Sequence, residues 1–361
     1  MQLKQSLIIA FTLFVLSISA WELYWRSQGK TANLDDNKDL WAVQRAKVDK
    51  ATDKGVILTG SSRVLFDIQL NDWENETGIR PIQLAAAGAT PLPIFSDLVN
   101  NTNFNGTIIV GVTPPLFFST TFPKADPWER AQSKVEHYYK RTYAQRFNHA
   151  LSIPLQQNLA LISTTEEIWS NNIDLKSLLN NIKIGNRMPE GMPPFYEFND
   201  TAIDRNTKMT ERTVNDTTYA NTIKRVWGFF GKTSPPPDKE STTNFFIKDA
   251  KKFIDRGGNL ILLRCPSTGG FRIGENMGMP REQFWDELVE KTKAHSYHFE
   301  DYNQFKNLEL PEWSHLSPKD ARFFTTELIK IMKADGALSN CLSILVFWGS
   351  LNMAIFSSKI L

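Results

Sequence analysis

Four short apolar runs, each followed by small, polar or proline residues, constrain the fold of this chain most strongly. The runs are Gly55–Gly60, Pro81–Ala85, Thr107–Val112 and Asn259–Arg264. A strand with one solvated face would alternate apolar and polar residues, so continuous apolar runs of this length indicate strands buried on both faces. Strands of that kind are typical of parallel sheets.

Stretches with helical periodicity separate these runs. The predicted helices are Leu40–Asp53, Pro93–Asn100, Phe245–Arg256, Arg281–Lys293 and Pro318–Lys333. The last of them places Ala321, Phe324, Leu328 and Ile331 on one face. Strands that alternate with helices predict an α/β fold of three layers, in which helices cover both sides of a parallel sheet.

The stretch from Phe117 to Lys239 interrupts this alternation. It is rich in aromatic, charged and asparagine residues, and it ends near the proline run Ser234–Asp238, which predicts an extended connection. We interpret residues 117–240 as a mainly helical insertion. Insertions that follow strand ends tend to shape access to a substrate, so this one is a candidate cap.

The N-terminal residues predict the compartment. Lys4 precedes an apolar run from Leu7 to Ala20, and aromatic residues follow it before Arg26, as at a membrane interface. We expect residues 1–30 to form an uncleaved signal anchor, with the main domain in the periplasm or at the surface of a bacterial cell. A removed signal peptide, ending near Ser17–Ala20, and a buried helix of a soluble protein are the alternatives.

The chain becomes apolar again near its other end. Residues 337–361 carry no formal charge before Lys359, although serine, asparagine and glycine dilute the segment. A second membrane span, a packed helix and a tail foreign to the fold all fit this composition. The predicted organisation is therefore an anchor over residues 1–30, a main domain over 31–336 that contains the insertion, and a C-terminal segment whose role stays open.

Composition excludes several classes of protein. The formal net charge is +2 and the charged residues are interspersed, so no basic tract predicts binding to nucleic acid. Cys265 and Cys341 are the only cysteines, and they lack the spacing of a metal or redox site. We expect neither a metal nor another cofactor.

Two segments more than 250 residues apart carry the residues of serine chemistry. Gly60–Arg63 reads Gly-Ser-Ser-Arg at the end of the first apolar run, and Glu312–His315 reads Glu-Trp-Ser-His before the last helix. A nucleophilic serine needs a base to take its proton and a carboxylate to orient that base. The carboxyl ends of parallel strands are also where ligands bind, which suits a nucleophile in the first segment.

Each of these residues also has a structural interpretation. Ser61 and Ser62 are suited to capping the helix that follows the strand. His315 is an ordinary surface histidine in this alternative, and Glu312 and Ser314 compete with Ser317 and Asp320 to cap the last helix. The pairing of the two distant segments favours the catalytic interpretation.

At these residues the chain resembles the SGNH (GDSL-like) hydrolase superfamily. The resemblance is to its membrane-anchored branch, associated with acylation of cell-surface polysaccharide or teichoic acid, whose first motif often reads Gly-Ser-Ser-Arg. It covers residues 50–115 and 245–333 and implies a flavodoxin-like parallel sheet. It also implies that Ser62 is the nucleophile, that His315 is the general base and that Glu312, in place of the usual aspartate, orients His315.

The resemblance further implies an oxyanion hole. The backbone N–H of Ser62 is one donor, and the second motif, Leu84–Ala89, supplies Gly88 as the other. The family's third motif, Gly-x-Asn-Asp, has no counterpart, because the chain reads Gly-Val-Thr-Pro-Pro from Gly111 to Pro115. An oxyanion hole built from Ser62 and Gly88 alone, or helped by Thr113 or an arginine, would be weaker than the family's.

Three arginines are candidate substrate-binding residues. Arg63 follows the serine, Arg264 ends the fourth strand, and Arg272 lies in the turn beyond it. Their guanidinium groups suit a carboxylate, a phosphate or a sugar acid. Structural pairing with acidic residues is the alternative for all three.

These observations predict a membrane-anchored, extracytoplasmic serine esterase or O-acyltransferase that acts on acyl groups of a cell-surface polysaccharide. Its expected partners are the membrane, the glycan or acyl donor, and a membrane-bound O-acyltransferase. The alternative is a non-catalytic subunit of the same fold, which binds a polysaccharide or that partner acyltransferase. The missing asparagine favours this alternative, and the serine and Glu-x-x-His favour the enzyme.

Overall fold

The computed structural model describes residues 2–162, 198–233 and 235–338. Part of the predicted insertion and almost all of the predicted C-terminal segment therefore lie outside the described residues. The proline run of the insertion is described from Pro235 to Asp238, and it is non-helical, as predicted.

Seven strands within the described residues form two sheets. They are β1 Val56–Thr59, β2 Ile82–Gln83, β3 Thr107–Gly111, β4 Asn199–Thr201, β5 Thr207–Met209, β6 Asn259–Arg264 and β7 His295–His298. Five of them form a parallel sheet in the order β2-β1-β3-β6-β7, while β4 and β5 form an antiparallel hairpin. The prediction of an α/β fold around a parallel sheet is thus confirmed.

The register of the main sheet aligns the ends of its central strands. Ile57 lies beside Ile82 of β2 and Ile108 of β3, and Ile108 lies beside Leu260 of β6. Because all the strands run in the same direction, their carboxyl ends meet at one edge of the sheet. The loops after β1, β2, β3 and β6 therefore share that edge.

Fourteen α-helices are described in these ranges. They are α1 Gln2–Ser27, α2 Lys38–Val48, α3 Ser62–Asp67, α4 Leu70–Thr77, α5 Leu92–Asn101, α6 Pro114–Phe117, α7 Asp126–Lys140, α8 Tyr143–Asn158, α9 Glu211–Asn215, α10 Thr217–Thr233, α11 Lys239–Asp255, α12 Gly269–Gly278, α13 Glu287–Thr292 and α14 Pro318–Ala334. A π-helical turn at Glu282–Asp286 precedes α13, so the helix predicted over Arg281–Lys293 has two parts.

Both faces of the main sheet are covered. Along β1, Leu58 packs in one apolar cluster with Leu328 of α14, while its neighbour Ile57 packs in a second cluster with Trp41 of α2. This alternation follows from the twofold repeat of a strand, which sends successive side chains to opposite faces. It explains why the interiors of β1, β3 and β6 are continuously apolar in the sequence.

Two glycines allow β1 and β3 to approach the first turn of α3. A Cβ atom on Gly111 would lie 2.1 Å from Val64 Cγ2, and one on Gly60 would lie 2.7 Å from the same atom. Gly60 also has φ +155°, which L side chains rarely adopt. The pair lets Val64 pack over the strand ends, and this packing fixes where α3 begins.

The described part of the insertion is mixed rather than purely helical. It contains α7, α8, α9 and α10, but it also contains the hairpin β4–β5, whose turn includes Arg205 at φ +65°. Arg205 donates to the main-chain oxygens of Gln83 and Ala85, and it pairs with Asp36. These contacts hold the β4–β5 hairpin against the end of β2.

Helix α1 buries none of its residues, and it contacts the packed domain near its C-terminal end. It has 26 residues, its most apolar window of 18 residues has a mean hydropathy of 1.9, and none of that window is buried. A helix of that length rises about 39 Å, which exceeds the hydrocarbon thickness of about 30 Å. The N-terminal helix is therefore long and apolar enough to cross a membrane, as the sequence predicted.

Candidate active site

The two serines at the end of β1 have different roles. Ser61 is the N-cap of α3, and its Oγ accepts a hydrogen bond from the N–H of Arg63 at 3.3 Å. Ser62 is the first residue of the helix, and its hydroxyl is free of that task. The structural alternative considered for both serines therefore holds for Ser61, whereas Ser62 points toward the second segment.

Ser62 meets His315 and Glu312 in one hydrogen-bonded series. Ser62 Oγ lies 2.8 Å from His315 Nε2, and His315 Nδ1 lies 2.9 Å from Glu312 Oε1. Because an ionised carboxylate only accepts hydrogen bonds, Nδ1 carries the proton and Nε2 can accept the serine proton. This is the arrangement that a serine nucleophile and its general base require.

The segment Glu312–His315 is held in shape by a hydrogen bond between its own backbone and the Glu312 side chain. Glu312 Oε1 also accepts the N–H of His315 at 2.6 Å, which closes a tight turn around the carboxylate. Trp313 has φ +78° within that turn, and its ring lies against Gly269, where a Cβ atom would come within 2.4 Å of the indole. A side chain larger than hydrogen at position 269 would collide with this turn.

An indole from the insertion completes the environment of the carboxylate. Trp227 of α10 donates its Nε1–H to Glu312 Oε2, so both carboxylate oxygens accept hydrogen bonds. The rings of Phe66, Phe198 and Trp227 surround the imidazole at 4.8, 5.4 and 5.9 Å between centroids. Two of these three rings belong to the insertion, which therefore covers the base.

The two predicted oxyanion donors lie on neighbouring loops. Gly88 follows β2 with φ +62°, and Ser62 follows β1, which is the neighbour of β2 in the sheet. Both residues are half-buried, and neither backbone N–H donates to another residue in the described part of the chain. Half-buried amides without a protein partner can bind a developing oxyanion.

The side chain of Thr113 contacts the cap of α3. Its Oγ1 lies 2.6 Å from Ser61 Oγ, and the residue is 5% exposed. The hydroxyl is thus occupied in joining the end of β3 to the cap of α3. The placement of Thr113 favours a structural role for this side chain.

Arg63 and Arg264 share one buried carboxylate. Arg63 Nη1 lies 2.9 Å from Glu275 Oε1, at an angle too oblique for a hydrogen bond, and Arg264 Nη2 lies 2.5 Å from Oε2. Both arginines are 1% exposed, so neither presents its guanidinium group to a ligand. Their placement favours the structural alternative over the predicted substrate contact.

Burial and neighbouring charges shift the pKa values of Glu275 and Arg264. Burial raises the pKa of Glu275, but Arg264 and Arg63 outweigh this effect and hold it below the usual value. Burial likewise lowers the pKa of Arg264 to about 10. Arg272 lies nearer the surface and forms two hydrogen bonds with Glu300, at 2.9 and 2.6 Å.

Arg63 connects the segment that contains Ser62 with the segment that contains His315. Its Nε donates to Ser314 Oγ at 3.2 Å, so a residue next to Ser62 holds a residue next to His315. Asp67 makes a second connection, since its Oδ1 accepts the N–H of Leu316 at 3.0 Å. Sequence reasoning missed Ser314 and Asp67 in these roles, because nothing in their local pattern indicates a partner about 250 residues away.

A comparison with protein-family models finds no match, and a comparison with curated proteins finds none either. Within residues 2–162, 198–233 and 235–338, no group of three or more His, Cys, Asp or Glu side chains is arranged to hold a metal ion. The geometry of the site therefore carries the functional argument.

Glu275→Gln should destabilise the protein by about 3–5 kcal/mol, because it leaves two buried guanidinium groups without a countercharge. A carboxylate whose folded pKa is depressed stabilises the fold above its unfolded pKa, and this stability is lost as the pH falls through the folded pKa. Unfolding of the full chain in detergent, followed from pH 7 to about pH 3, measures both effects.

Glu300→Gln is the matched control, since the side chain of Glu300 is 37% exposed and pairs with a single arginine, Arg272. It should change the free energy of unfolding by less than about 1 kcal/mol. The role of the buried cluster would be contradicted if both variants lost the same free energy of unfolding. It would also be contradicted if Glu275→Gln still lost stability at low pH as the wild type does.

Proposed function

We propose that this protein is a membrane-anchored serine esterase or O-acyltransferase that acts on acyl groups of a cell-surface polysaccharide. The observation that carries the proposal is the continuous series from Ser62 Oγ through the imidazole of His315 to the carboxylate of Glu312. Proton transfer by a positioned imidazole is the step that a serine hydroxyl needs to become a nucleophile.

The chemistry follows from this geometry. His315 Nε2 takes the proton of Ser62 as Oγ attacks the carbonyl carbon of an acyl ester, and the amides of Ser62 and Gly88 stabilise the resulting oxyanion. The intermediate collapses when the carbon–oxygen bond to the alcohol breaks, and His315 returns the proton to that alcohol. The acyl group is then bound to Ser62 as an ester.

The second half of the catalytic cycle, in which the acyl group leaves Ser62, repeats these steps with a new nucleophile. Water or a sugar hydroxyl gives its proton to His315 and attacks the acyl-serine, and breakage of the ester bond returns the proton to Ser62. With water the protein is an esterase, and with a sugar hydroxyl it is an O-acyltransferase. Glu312 stabilises the imidazolium that forms in each half of the cycle.

The sheet supports membership of the SGNH superfamily. When the strands of the main sheet are counted in chain order, their spatial order is 2-1-3-4-5, which is the flavodoxin-like order. Ser62 follows β1, Gly88 follows β2 and His315 precedes the last helix, as the family's motifs require. The two covered faces of the sheet agree with the three layers expected of that fold.

Helix α1 supports the proposed location. Its length and apolar surface suit an anchor, and the aromatic residues before Arg26 suit the boundary between lipid and water. Lys4 at the start of the helix favours a cytoplasmic N-terminus. The catalytic domain would then face the periplasm or the cell exterior, where surface glycans are modified.

One observation favours a non-catalytic subunit instead. The family's third motif supplies an asparagine to the oxyanion hole, and here the hydroxyl of Thr113 is occupied by Ser61. Each missing donor costs about 3 kcal/mol in transition-state stabilisation. A protein of this kind would keep the fold and the crevice but would bind a glycan or a membrane-bound O-acyltransferase without turning over an ester.

A fluorophosphonate probe tests the nucleophile in the full chain in detergent. The wild type should be labelled, Ser62→Ala should not be, and His315→Ala should be labelled at least about a hundredfold more slowly, because no base takes the proton. Ser61→Ala is the matched control, since it removes the helix cap but keeps Ser62. Its labelling should persist at a reduced rate.

Label that survives Ser62→Ala would remove Ser62 as the nucleophile. Absence of both labelling and turnover of short acyl esters by the folded wild type would favour the non-catalytic subunit. Circular dichroism of every variant separates a loss of chemistry from a loss of fold.

Trp227→Phe tests the indole as a positioning residue. Loss of a hydrogen bond to a charged group, worth about 1.5–3 kcal/mol, should lower kcat for ester hydrolysis roughly 10- to 100-fold and leave KM nearly unchanged. If Trp227 acts through Glu312, the same substitution should cost little more in a Glu312→Gln background. Trp128→Phe on α7, which packs on Phe122 and Phe245, is the matched control.

The result that would overturn this role is full additivity of the two substitutions. A rise in KM without a fall in kcat would instead place the indole against the substrate.

A further inference from the structure

Helix α8 exposes an apolar stripe. The exposed fractions of the side chains in this stripe are 88% for Tyr143, 67% for Phe147, 54% for Leu151 and 52% for Leu155. Each of these residues lies four positions after the one before. Side chains with this spacing lie on one face of a helix. Four large apolar side chains exposed in one row are unusual for a surface that faces only water.

The opposite face of α8 fixes the helix on the domain. His149 is buried, and Gln156 Oε1 accepts the N–H of Asp35 at 2.9 Å. Thr142 begins the helix with a capping box that includes Gln145. The direction of the apolar stripe is therefore set by the fold, and the stripe points away from the domain.

Helix α8 also carries a positive charge and no acidic side chain. The sixteen residues from Tyr143 to Asn158 include no aspartate or glutamate, and their one arginine, Arg146, lies with its guanidinium carbon 5.5 Å from the ring of Tyr143. An apolar face bordered by a cation and free of acidic groups is typical of helices that lie on an anionic lipid surface.

The end of α8 is attached to the predicted membrane helix. The carboxylate of Glu22 accepts the N–H groups of Ala160 and Leu161, each at 2.9 Å, and Arg26 Nη2 donates to the main-chain oxygen of Asn158 at 2.8 Å. Glu22 and Arg26 also pair with each other at 2.6 Å. These contacts hold the C-terminal end of α8 against the last two turns of α1.

The same two turns carry the aromatic residues of α1. Trp21 contacts Tyr24 and Trp25, with ring centroids 5.5 Å apart in both pairs. Tryptophan and tyrosine concentrate at the level of the lipid headgroups. The contacts of Glu22 and Arg26 therefore place the end of α8 at that level.

From these observations we infer that α8 is an interfacial helix, and that it inserts its stripe of Tyr143, Phe147, Leu151 and Leu155 into the headgroup region of the membrane that α1 crosses. The inference rests on the anchoring part of the proposed function and is independent of the serine chemistry. The occupant of the stripe is lipid, because α8 is joined to the helix that enters the lipid.

Depth-dependent quenching in vesicles tests the inference with the full chain. Cys265→Ala and Cys341→Ser give a cysteine-free background, in which Phe147→Cys or Leu151→Cys carries a fluorophore. The protein is reconstituted into phosphatidylcholine vesicles that contain phosphatidylglycerol. Lys251→Cys on α11 is the control, since its side chain is 76% exposed and lies on a helix of the main domain.

Lipids brominated near the headgroup should quench the labels at positions 147 and 151 at least about threefold more than the label at 251. Aqueous iodide should show the reverse order. Equal lipid quenching at all three positions would overturn the inference.

Labels at 147 and 151 that are protected from iodide but not quenched by brominated lipid would also overturn it, because another polypeptide segment or a second copy would then cover the stripe. Release of the protein from vesicles by alkaline carbonate would instead refute the anchor itself. The two failures are therefore distinguishable, and neither alters the expected labelling of Ser62.

Discussion

The hydrogen bond between Ser62 Oγ and His315 Nε2 is the contact on which the proposed function depends, and it requires the whole fold. It joins residues 253 positions apart, so it forms only if the first strand and the segment before the last helix meet at one edge of the sheet. The parallel arrangement brings them there, and Gly60 and Gly111 let Val64 pack across the strand ends. The geometry of the candidate site is therefore a consequence of the whole fold.

Buried polar groups hold the two segments together. Arg63 joins the serine segment to Ser314, and Glu275 compensates the charges of Arg63 and Arg264 where water is excluded. Burying three charges is costly, and apolar side chains of the same volume would often be as stable. The cluster instead positions the residues on either side of the site, and such a role agrees with guanidinium groups that are buried beneath it.

Sequence reasoning reached the sheet and the three central residues because their signals are local. Continuous apolar runs mark buried strands, and Glu312 and His315 lie three positions apart in one turn. The strand His295–His298 was missed because it contains no apolar run. The donor Trp227 was missed because it reaches Glu312 from the insertion, 85 residues away, and an indole N–H leaves no pattern in the sequence.

A crystal structure of the protein after reaction with an organophosphonate ester measures the central claim most directly. The account predicts that phosphorus is bonded to Ser62 Oγ, that the phosphoryl oxygen accepts hydrogen bonds from the amides of Ser62 and Gly88, and that His315 Nε2 stays within about 3 Å of the bonded oxygen. Phosphorus on another side chain, or an imidazole of His315 outside the crevice, would contradict it.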